Sequence, residues 1–173
     1  MADADDDAAE AEAELAGFLA KFEPEVAAQA HSLLGKMRAR IAGAQVLVYD
    51  NYNALAIGFG PSGKAGEAVL SLAVFPKWVT LCFLRGKGLP DPAGLLKGEG
   101  SRVRHVRLDP PERWDMPEVQ ALISAALARA EPPIDPAAEP RLVIKSVSAK
   151  QRPRRPSGPA QAGPAADAPT TPV

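Results

Sequence analysis

A basic segment follows the longest glycine- and proline-containing loop of the sequence. The loop spans residues 85–100, and the strand predicted over residues 102–108 is unusually rich in cations. Lys97, Arg102, Arg104 and His105 are the candidate anion ligands, because guanidinium forks and the amides of a glycine-rich loop both suit oxyanions. Strand alternation sends Arg102 and Arg104 to one face and His105 and the further cation Arg107 to the other.

The same cations have a second interpretation, in which they form ordinary surface ion pairs. The acids that would serve as partners are Asp91, Glu99, Asp109 and Glu112. Exposed pairs of this kind contribute only about 0–1 kcal/mol each, so they would carry no function. Ion pairing is the commoner role for such residues, and the sequence leaves both interpretations open.

Aromatic and amide side chains form a second candidate site. Tyr49, Asn51, Tyr52 and Asn53 surround a predicted turn, and Trp78 opens a later strand. Aromatic walls with a few polar groups are typical of small-molecule pockets. Tyrosine and tryptophan are also ordinary half-buried residues of sheets, which is the alternative interpretation.

Carboxylates near the N-terminus form a third candidate site, this time for a metal. Glu10, Glu12 and Glu14 alternate with alanine, and hard oxygen ligands suit hard cations such as iron. The alternative is a solvated charge run that only aids solubility.

Nucleophilic and histidine-based chemistry find little support in the sequence. Cys82 is the only cysteine and lies in the apolar stretch 79–84, which predicts a buried, inert thiol. The two histidines, His31 and His105, are far apart in sequence, which argues against a histidine metal site or a catalytic triad. The glycine-rich loop 60–66 lacks the spacing of a phosphate-binding Walker motif. No catalytic residue is predicted.

Charge and hydropathy limit the partners and the location. The net charge is −1, and the basic run from Lys145 to Arg155 contains no aromatic residue on which bases would stack, which argues against a nucleic-acid binder. The longest apolar runs, such as residues 68–75, fall far short of the roughly 20 residues that span a membrane. The acidic N-terminus is unlike a secretory signal, so a cytoplasmic location is expected.

The elements that must position these residues belong to one α+β domain. Residues 1–9 are predicted to be a disordered acidic N-terminus, residues 10–130 the domain, and residues 131–173 a mostly disordered Pro/Ala-rich tail with a basic run. Within the domain, two helices precede about five strands, and a helix beginning near Pro117 follows them. Short connections predict an antiparallel sheet with the helices on one face. Residues 141–145 have some strand character and would dock on this sheet.

Part of this pattern resembles the YdhG-like family, a bacterial domain of unknown function. The resemblance rests on residues 75–83 (FPKWVTLCF), on the Gly-Leu-Pro-Asp-Pro and Gly-Leu-Leu-Lys-Gly-Glu-Gly motifs within residues 88–100, and on residues 104–107 (RHVR). It covers about residues 14–130. It implies a frataxin-like fold, and one branch of the family is described as a frataxin-like iron chaperone. That branch uses exposed acids rather than a fixed motif, so no acid carries over by position.

These observations predict a non-enzymatic binding or chaperone-like module, with iron handling as in the frataxin-like branch. The alternative is a small-molecule or anion-binding sensor or enzyme that uses the loop 85–100 and the strand 102–108. Iron is the only cofactor that the sequence suggests. An exposed sheet face or edge would suit a homodimer, although no residue pattern specifies one.

Overall fold

Three helices and a six-stranded sheet make up the part of the chain that the computed structural model describes, residues 2–156. The helices are α1 (Ala2–Leu19), α2 (Pro24–Arg40) and α3 (Pro117–Ala128). The strands are β1 (Gln45–Asp50), β2 (Leu55–Gly60), β3 (Leu70–Val74), β4 (Val79–Phe83), β5 (Arg104–Arg107) and β6 (Leu142–Val147). Among these residues, no helix is both long enough and apolar enough to cross a membrane.

The sheet has the strand order β5-β4-β3-β2-β1-β6. Each neighbouring pair from β1 to β5 is antiparallel, which confirms the predicted meander and the α+β class. β6 is the exception, because it pairs with β1 in parallel. A parallel strand cannot be reached through a tight turn. The chain reaches β6 through a long connection that consists of α3 and the segment after it.

The inner face of the sheet carries the large side chains and meets the helices. Every second residue of a strand points to this face. Examples are Ile57 on β2, Leu72 on β3 and Leu81 on β4, which are all fully buried. The predicted helical stripes supply the opposite layer: Leu15, Leu19, Phe22, Val26, Ala30, Leu33, Leu34, Met37 and Ile41 are all buried in the same cluster. The apolar faces of the helices and of the strands therefore pack together in one core.

On β2 and β3, the outer face of the sheet carries small side chains instead. Ala56 and Gly58 on β2 alternate with the large inner residues, as do Ser71 and Ala73 on β3. At one end this face is covered by the segment 61–69, and Lys145 on β6 donates a hydrogen bond across it to the Gly63 carbonyl, at 3.0 Å. At the other end the small residues form the floor of a groove.

Within residues 2–156, parts of both segments that are predicted to be disordered carry secondary structure. α1 extends back to Ala2, since alanine and glutamate favour helix and aspartates in the first turn interact well with its dipole. Residues 131–156 follow the domain surface and contribute β6, which lies beyond the boundary predicted at residue 130 and corresponds to the strand character predicted for residues 141–145. The predictions for Met1 and for residues 157–173 concern residues outside the described part of the chain.

Gly43 is predicted to be essential for the path of the segment after α3. Its φ of 81° is a conformation that L side chains rarely adopt, and a Cβ there would overlap the carbonyl group of Asp135. Gly43→Ala should therefore lower the free energy of unfolding by about 1–3 kcal/mol. Gly35→Ala is the matched control, because this exposed site on α2 is open and should gain about 0.5–1 kcal/mol. Urea denaturation measures both, and equal effects would contradict the contact.

Candidate ligand-binding groove

An open groove of about 1320 Å³ lies on the outer face of the sheet, near the β1–β2 and β3–β4 turns. Ala56 and Ala73 form its floor, and they are directly opposed in the register of β2 and β3. Because both side chains are single methyl groups, the floor lies close to the backbone. The larger residues of the two turns therefore stand above it as walls.

Aromatic rings form the wall on the β3–β4 side. Phe75 and Trp78 stack with their ring centroids 5.6 Å apart and an interplanar angle of 29°. The turn is closed by the Phe75 amide, which donates to the Trp78 carbonyl at 2.9 Å. The guanidinium of Arg107 lies over the Trp78 ring, 3.7 Å from its centroid, a cation–π distance that fixes the indole plane.

The β1–β2 turn supplies the facing wall. The Asn51 amide donates to the Ala54 carbonyl at 3.1 Å, which closes the turn and projects Tyr52 outward. Tyr52 is 51% exposed although it is a large aromatic residue. An exposed aromatic opposite a stacked tryptophan is a typical ligand-facing arrangement.

The C-terminal segment completes the groove with Ser148, Arg152, Pro153, Arg155 and Pro156. The Arg152 amide donates to the Tyr52 carbonyl at 2.9 Å, so the segment follows the β1–β2 turn. With Lys77, the two arginines put three cations on the rim. Arg155 pairs with Glu23 at 3.8 Å, but the described lining itself includes no carboxylate. The groove therefore combines apolar surfaces with a positive edge.

A buried ion-pair cluster anchors the C-terminal segment. Asp50, the last residue of β1, is fully buried and accepts from Arg154 at 2.8 Å and from Lys21 at 2.7 Å. The Arg154 side chain is itself only 3% exposed and also donates to the Asn51 carbonyl. Burial raises the pKa of the Asp50 carboxyl, but the contacts with Lys21, Gln151 and Arg154 outweigh it and hold this pKa below its ordinary value.

The structure brings together the predicted aromatic and amide residues. Asn51, Tyr52, Asn53 and Trp78 all line the groove. Tyr49 lies beside it rather than in its lining, opposite Ala56 in the register of β1 and β2. The Tyr49 hydroxyl is buried, and no described residue hydrogen-bonds to it.

The predicted basic residues do not join this groove. The backbone of Lys97 bridges to that of His105, and Arg104 on β5 donates to the carbonyls of Gly100 and Val103 in the preceding loop. Arg102 lines a different groove, at the far end of the sheet. Of the ion pairs weighed for this region, the described residues form Arg107–Asp109, at 3.1 Å.

The acidic residues of the predicted metal site lie on the exposed surface of α1. Glu12 pairs with Arg38 on α2 at 2.7 Å, while Glu10 and Glu14 point to solvent. Within residues 2–156, no group of three or more acidic, histidine or cysteine side chains is placed to hold a metal ion. Iron binding at these residues stays a prediction.

Cys82 lies opposite His105 in the register of β4 and β5. Burial raises the pKa of the thiol to about 11, so it remains protonated at neutral pH. A thiolate is the reactive form of cysteine, and this thiol is therefore a poor nucleophile. Cys82 is half-buried, whereas the sequence predicts a buried thiol, and its inert role stays a prediction.

Sequence reasoning missed the floor and the C-terminal wall of the groove. The floor had a usable signal, because β2 and β3 alternate large inner residues with alanine, glycine and serine. The wall had a weaker one, since Arg152 and Arg155 lie among prolines in a stretch whose composition indicates disorder.

Comparisons with known proteins identify no relative of this chain. No family model matches the chain, and searches of curated proteins and of solved structures found no significant match.

Proposed function

We propose that this protein is a non-enzymatic binding module that holds a flat, apolar ligand carrying negative charge in the groove beside Trp78. The observation that supports this most is the lining itself: an alanine floor, aromatic walls and a cationic rim. A flat ligand would contact the floor and the rings, while its anionic group would meet Lys77 or Arg152 on the rim.

Three features of the groove favour binding over an ordinary surface. Its volume of about 1320 Å³ exceeds the roughly 300–1,000 Å³ of common ligand pockets, so a metabolite-sized molecule fits. Its walls are built from closed turns and a stacked ring pair, so little ordering is needed on binding. Its rim has a single sign of charge, which favours anions over cations.

A non-enzymatic role is proposed because the chemistry near the groove is that of recognition. The lining offers aromatic, amide, hydroxyl and cationic groups, without a described carboxylate or histidine that would act as a general base. The Cys82 thiol does not line the groove and is protonated at neutral pH. The module would therefore store, sense or present its ligand.

The proposal predicts that anilinonaphthalene sulfonate, a flat aromatic anion, binds the folded protein at a single site with micromolar affinity. Tyr52→Ala should weaken this binding roughly ten-fold, since an aromatic contact of this kind contributes about 1 kcal/mol or more. Fluorescence titration measures the dissociation constant, and naphthalene sulfonate should displace the dye.

Val103→Ala is the matched control for Tyr52→Ala. Val103 is also an exposed apolar residue, 43% against 51%, but it lies outside the groove. Both variants should keep the circular dichroism spectrum of the parent, because neither side chain is part of the core. Equal loss of dye binding in the two variants, or no loss in Tyr52→Ala, would refute the groove as the site.

A further inference from the structure

A second groove, of about 820 Å³, lies at the end of the sheet away from the aromatic groove and is lined by four cations. Arg85 and Lys87 follow β4, Arg102 precedes β5, and Arg129 ends α3. Glu131 is the one acid in the described lining. In a chain with a net charge of −1, this is a strong local excess of positive charge.

The cationic groove is held together by hydrogen bonds to backbone carbonyls, donated by two arginine side chains and one backbone amide. Arg129 donates to the carbonyls of Lys87 and Gly88, at 3.2 and 2.7 Å. The Lys87 amide donates to the Arg102 carbonyl at 3.0 Å, and Arg85 donates to the Gly66 carbonyl at 3.1 Å. These bonds bring residues from separate parts of the chain to one place.

Within residues 2–156, none of these four cations lies within 4.0 Å of a carboxylate oxygen. The C-terminal dipole of α3 accounts for Arg129, which caps that helix end. It does not account for Lys87 and Arg102, which belong to other elements. Like charges gathered around a concavity repel one another, and an anion in the groove would relieve this repulsion.

We propose that this groove binds a phosphate-bearing small molecule, at a site independent of the aromatic groove. Guanidinium groups pair with phosphate oxygens through two parallel hydrogen bonds, and a lysine adds a point charge. Arg102 and Lys87 are the ligands with uncommitted donors among the described contacts, while Arg129 positions the loop between them. Ala128, Ala130 and Pro133 give the groove an apolar wall for the rest of such a molecule.

The test is calorimetric titration of the full chain with inorganic pyrophosphate and, separately, with adenosine monophosphate. Saturable binding of either is expected, weakened roughly ten-fold by Arg102→Gln and also reduced by raising the salt to about 0.15 M. Tighter binding of the nucleotide would assign the phosphate to an organic ligand, and tighter binding of pyrophosphate would assign it to an inorganic one.

Lys36→Gln is the matched control, because Lys36 is an exposed cation on α2 that does not line this groove. It should leave the affinity unchanged. Absence of binding by both probes would overturn the proposal, as would equal losses in Arg102→Gln and Lys36→Gln, which would indicate non-specific attraction. Binding of a single-stranded oligonucleotide alone would overturn it in favour of a polyanion surface.

Discussion

Asp50→Ala is expected to lower the free energy of unfolding by about 3–5 kcal/mol. The carboxylate is fully buried between Lys21 and Arg154, and its removal leaves the nearly inaccessible Arg154 guanidinium without its ionic partner. Most of the cost comes from that uncompensated cation rather than from lost attraction. The loss of stability cannot exceed the cost of detaching the C-terminal segment, because detachment would return the Arg154 side chain to water.

Asp109→Ala is the matched control, since it breaks the Arg107–Asp109 pair in which both side chains are about half exposed. Its expected cost is only about 0–1 kcal/mol. Chemical denaturation of the two variants gives the comparison. Similar losses in both would show that Asp50 does not anchor the fold.

Acidification provides a second measure of the same cluster. The pKa of the Asp50 carboxyl is lower in the folded protein than in the unfolded chain, where it lies near the ordinary value of an aspartate. The stabilisation is therefore fully present above the unfolded value and is lost as pH falls through the lower folded value. Asp50→Asn should be less stable at neutral pH and should lose less on acidification than the parent chain.

Removal of β6 is the second change with a large expected effect. A chain that ends at residue 141 lacks β6 and leaves β1 with an open edge, whereas a chain that ends at residue 147 keeps the strand. β6 pairs with β1 at five positions, and roughly 1 kcal/mol for each ladder hydrogen bond gives a difference on the order of 5 kcal/mol. That is comparable to the whole stability of many domains.

The chain ending at residue 147 should therefore unfold cooperatively, and the chain ending at residue 141 should aggregate through the exposed edge of β1. Both lack Arg154, so the difference between them reports β6 alone. Thermal denaturation and size-exclusion chromatography measure it. Equal melting temperatures and equal elution would contradict the role given to β6.

The local elements of this fold were predictable because their hydrophobic patterns are regular. The spacing from Leu15 to Phe22 places one helical stripe in the core, and the alternation in β3 and β4 places one face of the sheet there. The turns around Asn51 and Pro76 contain residues that favour turns, so their aromatic neighbours were predictable as a group.

The long-range contacts were not predictable in the same way. Nothing local to Asp50 indicates a buried carboxylate, because its partner Arg154 lies 104 positions away in a stretch rich in proline. β6 is half exposed and carries the basic residue Lys145, so its pattern is weak until β1 is available as a partner. The position of Arg152 and Arg155 on the groove rim is likewise not predictable from local sequence, because it depends on where the fold places the C-terminal segment.

The most direct test of the proposed ligand groove is an NMR titration of the full chain with naphthalene sulfonate, following the two tryptophan indole N–H signals. Trp78 lines the groove, while Trp114 is buried in the core on the other side of the sheet. The proposal predicts a saturable shift of the Trp78 indole signal, together with the amides of Asn51 and Tyr52, and an unchanged Trp114 signal. An unperturbed Trp78 signal at saturating ligand would contradict it.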